Sequence, residues 1–152
     1  MIPCLRRSCI LLFAAIVVSA SACNSGPPFA EVSGVVLLGG KPMPDAIVQF
    51  IPDLDKNTNG PTSSGNTDEE GRFRLKSDDK YGKDGAVVGF HRVVVQDTRS
   101  IAPPRHLWAD RMKRPATPPP RISNRYGEAL KTPLRQEVKA GPQTITLELT
   151  SK

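Results

Sequence analysis

Histidine, cysteine and aromatic side chains are scarce in this chain: its 152 residues include two histidines, three cysteines, one tryptophan and two tyrosines. Each shortage excludes something. His91 and His106 are too few for a histidine-rich metal centre, and no H-E-x-x-H, G-x-S-x-G or P-loop spacing occurs, so the catalytic constellations that spacing alone reveals are missing. No window sustains a 3.6-residue apolar period, which argues against a helical bundle. The longest apolar run, 9–18, is about half of the roughly 20 residues that a spanning helix requires.

What stands at the N-terminus is an address. "MIPCLRRS" carries Arg6 and Arg7, "CILLFAAIVV" is apolar, and "SASA" supplies small residues, the three-part pattern of a secretory signal. The small residues lead straight into Cys23, which resembles the bacterial lipobox, whose cysteine is diacylated and becomes the new N-terminus. The position three before it is Ala20, where that family usually has Leu. The residues after Arg6-Arg7 lack a twin-arginine pattern, so the pair reads as an ordinary basic n-region. Removal of residues 1–22 takes Cys4 and Cys9 with it, leaving Cys23 alone and no intramolecular disulfide. Acylated Cys23 would partner a membrane without any segment crossing it. Asn24 follows the cysteine in place of the Asp linked to inner-membrane retention, so the expected location is the cell envelope, with the outer membrane favoured.

Residues 23–30 read as a tether, and 31–152 as one domain. Its short apolar alternations, separated by Gly, Pro, Asn and Asp, predict an all-β sandwich of about seven strands. Strands are expected over 30–38, 46–52, 72–77, 86–97 and 144–150, with "PLRQEV" and "TITLELT" joined as a terminal hairpin. On "RFRLKS", Phe73 and Leu75 face inward while Arg72, Arg74 and Lys76 face out. In "TDEEG", Asp68 caps a turn that Gly71 closes.

The segments G-K-P-x-x-x-A-x-V-x-F (Gly40 to Phe50) and T-D-x-x-G-x-F (Thr67 to Phe73) resemble those of small bacterial lipoproteins built on the carboxypeptidase regulatory-like domain. The resemblance spans roughly 31–149 and implies a transthyretin-like (prealbumin-like) Greek-key sandwich. It implies little about activity, because in carboxypeptidases the domain is an accessory beside the enzyme. The fold's hydroxyisourate hydrolase branch ends in a Tyr-Arg-Gly-Ser signature, whereas this chain ends "LELTSK". Lys41 lies in a turn, which disfavours the intramolecular isopeptide bond of surface adhesins.

Charge is unevenly spread. The chain is formally +6, and +4 once Arg6 and Arg7 are removed. Residues 23–97 carry −3, 98–133 carry +6, and the remainder +1. The basic stretch also holds seven prolines and the single tryptophan. Loops of this length are usually functional or disordered, and "HLWADRMKR" within it is expected to form a brief helical turn. Arg105, Trp108, Arg111, Lys113, Arg114, Arg121 and Arg125 are the candidate residues for an anionic partner: lipid headgroups, an acidic polysaccharide or an acidic patch on an envelope protein. The alternative is a solvated crossover with Trp108 and Tyr126 folded back onto the sheet. Nucleic acid is not expected, since no recognition motif accompanies the charge.

Neither histidine is read as a ligand; His91, between Phe90 and Arg92, is expected on an exposed or half-buried face. The nearest approach to a calcium loop is "DLDKNTNG", where Asp53, Asp55, Asn57 and Asn59 alternate, but Thr58 and Ser64 replace the Gly and Glu that an EF-hand requires. No metal or cofactor is therefore expected. The expectation is a non-catalytic, lipid-anchored binding or structural module; the alternatives are a small hydrolase of the same fold and a calcium- or carbohydrate-binding sandwich.

Overall fold

The computed structural model describes residues 26–110 and 112–151, and Cys23 and Arg111 lie outside them. Among the described residues the regular structure is all β apart from short 3₁₀ turns. The strands, in chain order, are β1 (Phe29–Ala30), β2 (Val32–Leu38), β3 (Lys41–Pro42), β4 (Ala46–Pro52), β5 (Ser63–Asn66), β6 (Arg72–Arg74), β7 (Lys76–Ser77), β8 (Ala86–Val87), β9 (Gly89–Asp97), β10 (Arg135–Val138) and β11 (Gln143–Leu149).

One five-stranded sheet runs β10-β9-β4-β5-β7. A second places β2 between parallel β11 on one side and antiparallel β3 and β6 on the other, and β1 and β8 make a separate two-stranded pair. Strand alternation aims one face of each sheet inward. Val32 and Val36 of β2, Ala46, Val48 and Phe50 of β4, Val93 and Val95 of β9, and Ile145, Leu147 and Leu149 of β11 meet in a single buried cluster. Phe50 sits at its centre, its ring centroid 6.5 Å from Phe73 across the two sheets.

Two glycines are required by position. An added Cβ at Gly34 would lie 2.1 Å from the Ile145 carbonyl oxygen and 2.6 Å from the Phe73 ring, so β2 can run this close to its neighbours only without a side chain. Gly71, at φ +71°, donates its N–H to the Asp68 carbonyl, while Asp68 Oδ1 accepts from Glu70 N at 3.1 Å and Arg72 N at 2.7 Å. The expected cap is thus in place, with Phe73 and Leu75 buried behind it and Arg72, Arg74 and Lys76 outside.

Four details differ from the sequence reading. The tether ends before Ala30, because Phe29 and Ala30 pair with Val87 and Ala86. The long strand expected over 86–97 breaks at Val88, whose N–H bonds the Pro28 carbonyl at 2.8 Å. β10 and β11 form no hairpin: β10 lines up with β9 and β11 with β2, so the 139–142 connection crosses between sheets. The strand count exceeds seven because a tight turn or bend splits each of several runs.

Candidate functional site

The basic segment leaves the sandwich at Asp97, the last residue of β9, and returns at Arg121. These two residues clasp its neck. Asp97, 3% exposed, accepts from Arg121 N at 3.0 Å and Nε at 2.9 Å through Oδ2, and from Nη2 at 2.8 Å and Arg99 N at 3.3 Å through Oδ1. Arg121 Nη2 also donates to the Pro44 carbonyl at 2.7 Å. Beside it the Thr98 N–H and hydroxyl both donate to the Asp45 carbonyl, at 2.9 and 2.8 Å. Burial by itself would raise the Asp97 carboxyl, but the bonds from the Arg121 side chain and backbone and the guanidinium charge outweigh it and hold the group below its ordinary value. Arg121, one of the residues proposed from sequence to meet an anionic partner, is therefore already occupied by an acid of its own chain.

Beyond the clasp the returning chain packs inward. Ile122 is buried and bridges Ser151; Tyr126 is buried, its hydroxyl 3.0 Å from Thr150 Oγ1. That bond, with further help from Arg125, lowers the Tyr126 phenol below its ordinary value. Arg125 lies 5.0 Å from the Tyr126 ring centroid, and its Nη2 donates to the tyrosine hydroxyl at 3.2 Å. Arg125 is thus engaged with its neighbour while remaining exposed.

The excursion between the two halves of the clasp carries the remaining candidates. The helical turn expected over 106–114 is seen only at its start, as a 3₁₀ turn over Arg105–Leu107, and Trp108 Nε1 donates to the Pro103 carbonyl at 2.7 Å, folding the indole back on its own segment. Arg105, Lys113 and Arg114 are exposed. Arg105, Trp108, Lys113 and Arg114 therefore lie on the excursion itself, whereas Arg121 and Arg125 belong to its foot. A cleft of about 260 Å³ opens beside the neck, lined in part by Gln96, Asp97, Ser100, Ser123, Asn124 and Glu128. That volume is just below the roughly 300 Å³ at which small-molecule pockets begin.

In the "DLDKNTNG" loop a built-in cation takes the place of a metal. Arg92 Nη2 donates to Asp53 Oδ1 at 3.0 Å and to Asp55 Oδ2 at 2.5 Å. The hydrogen bond from Arg92 lowers the Asp53 carboxyl despite its burial. Leu54–Lys56 form a 3₁₀ turn that Asn57 closes in the left-handed region at φ +56°. Among the described residues no group of three or more His, Cys, Asp or Glu side chains is arranged to hold a metal ion.

His91 differs most from its expectation. It is 1% exposed, its ring 5.7 Å from Phe50, with Nδ1 3.1 Å from the Gly89 carbonyl and Nε2 buried without a partner. Desolvation pushes its pKa below the ordinary 6.5, and the Gly89 carbonyl only partly opposes this. The unfolded chain then binds a proton that the fold refuses, so stability is full above the ordinary value and falls as pH drops through it toward the folded one. Urea denaturation between about pH 7 and pH 5 should show this slope in the wild type and a flatter profile in His91→Leu; equal slopes would contradict it. His106 is exposed in the basic loop.

No family model matches the chain, and neither a curated protein nor a solved structure matches it.

Proposed function

We propose that the protein is a non-catalytic, lipid-anchored binding module of the bacterial cell envelope, held to a membrane through Cys23 and presenting its basic loop to an anionic partner. The observation that carries this reading is the clasped excursion: Asp97 and Arg121 close its neck, while Lys113 and Arg114 remain exposed and, among the described residues, pair with no carboxylate. A loop held at its foot loses less freedom on binding than an open one.

The strand order favours the transthyretin-like member of the β-sandwich class. In the larger sheet β4, β5 and β7 lie side by side and β9 lies on the other side of β4, an order in keeping with a Greek key, although β6, between β5 and β7 in the chain, joins the other sheet. The parallel pairing of β2 with β11, near the two ends of the domain, is in keeping with it. Support for a binding role over hydrolysis comes from the histidines: His91 is enclosed, and neither it nor His106 pairs with a carboxylate among the described residues.

The deciding experiment is intact mass and detergent partitioning after expression in a bacterial host, with Cys23→Ala as the control. Loss of residues 1–22, added acyl mass and detergent partitioning in the wild type alone are expected. Cleavage without acylation would overturn the anchor and leave Cys23 a free thiol in a secreted protein.

A further inference from the structure

The loop is apolar as well as basic. Ile101 is 48% exposed, Leu107 65% and Met112 86%, and half-buried Trp108 lies among them. Three large apolar side chains are left to water within one short segment, and apolar surface rimmed by polar residues is what interaction sites present. Lys113 and Arg114 follow directly, Arg105 precedes, and the only carboxylate between Thr98 and Gly127 is Asp110. Cations beside aliphatic and indole groups are the composition of a segment that lies in a bilayer interface, the charges at anionic headgroups and the apolar groups at the acyl boundary. An acidic polysaccharide would neutralise the cations but leave Ile101, Leu107 and Met112 exposed to water.

The topology says where this segment sits relative to the proposed anchor. The chain enters the sandwich at Phe29, paired with Val87 just before β9 begins, and the loop leaves at Asp97, where β9 ends. At about 3.3 Å per residue β9 alone spans roughly 26 Å, so the two points lie toward opposite ends of it. Residues 24–28 reach at most about 18 Å, which is long enough to let the sandwich tip over and too short to let it leave the membrane. An anchored domain therefore holds the loop near the bilayer at an effective concentration on the order of millimolar.

We infer that residues 101–110 and 112–114 dock on the anionic bilayer that carries the anchor, so that the domain is attached at both poles and lies along the membrane. This rests on the lipid-anchor reading and extends it to a second, protein-borne contact. Trp108, the only tryptophan, reports on it without labelling.

The acylated protein is reconstituted into vesicles of phosphatidylcholine alone and of phosphatidylcholine mixed with phosphatidylglycerol, each with and without brominated acyl chains. Co-sedimentation with both vesicles reads the anchor. A blue shift of Trp108 emission and its quenching by bromine, in the anionic vesicles only, read the docking. Leu107→Asp with Met112→Asp should abolish the quenching while co-sedimentation persists. Neutralising Lys113 and Arg114 to Gln should weaken vesicle partitioning of the unacylated Cys23→Ala protein, with residues 1–22 removed, about thirtyfold, near fivefold per charge. That protein retains every described strand, since the first begins at Phe29.

Unchanged Trp108 emission in co-sedimenting protein would overturn docking and leave the anchor standing. Absence of acyl mass would overturn the anchor instead. Docking is then decided on the unacylated protein, where quenching by anionic vesicles supports it and its absence overturns it.

Discussion

Replacement of Asp97 by alanine is expected to lower the free energy of unfolding by about 3 kcal/mol and the melting midpoint by about 10 °C. The loss comes from what the substitution leaves behind. Asp97 is buried and takes four hydrogen bonds, three of them from Arg121. Without it the guanidinium keeps only the Pro44 carbonyl as a hydrogen-bond partner and stands partly desolvated, with just the charge of Asp45, which makes it no ion pair, to offset its own. Arg121 is about a quarter exposed, which places the cost at the lower end of the range for broken buried pairs. Arg121→Met with Asp97→Leu, which removes both charges, should recover part of the loss.

Urea denaturation followed by circular dichroism measures these values, and a double-mutant cycle isolates the pair. Opening the neck should also speed tryptic cleavage at Arg105 and Lys113. A loss below about 0.5 kcal/mol, typical of surface substitutions, would show that the clasp holds nothing. The pH dependence has a definite sign. The folded Asp97 carboxyl lies below its ordinary 3.8, so its contribution is present above that value and is lost as pH falls through it toward the folded value.

Phe50→Ala should cost more, about 4 kcal/mol. The ring is fully enclosed, 6.5 Å from Phe73 of the facing sheet and 5.7 Å from His91 of the neighbouring strand. Its removal opens a cavity at the seam between the sheets, where strands pinned by ladders on both sides have little freedom to collapse. Phe50→Leu, which keeps most of the volume, should cost under about 1.5 kcal/mol. The two substitutions also differ at His91. Water entering the alanine cavity would solvate the unpartnered Nε2 and raise its pKa toward the ordinary value, so the acid slope described for His91 should flatten in Phe50→Ala and persist in Phe50→Leu. A loss under 2 kcal/mol in Phe50→Ala would mean that the seam closes over the gap.

The partition of information between chain and fold is visible in single residues. Thr144 to Thr150 alternate cleanly, and the fold buries Ile145, Leu147 and Leu149 as that pattern requires. The Asp68 to Gly71 turn was equally legible, because a capping carboxylate and a positive-φ glycine act within four residues. His91 was not. "GFHRVVV" is apolar in both phases, with Phe90 and Val94 on one side and Val93 and Val95 on the other. Alternation therefore did not decide which face turns inward, and pairing with β4 and β10 did.

By itself the sequence determined the all-β class, the faces of the cleanly alternating strands and the basic, proline-rich character of 98–133. These depend on local backbone geometry or on composition, which neighbouring residues settle among themselves. Only the tertiary structure decided that β10 and β11 belong to different sheets, that Arg92 fills the space between Asp53 and Asp55, and that Arg121 closes on Asp97. Each of these joins groups far apart in the chain, and which distant groups meet is fixed by strand register and core packing, which the whole domain sets at once.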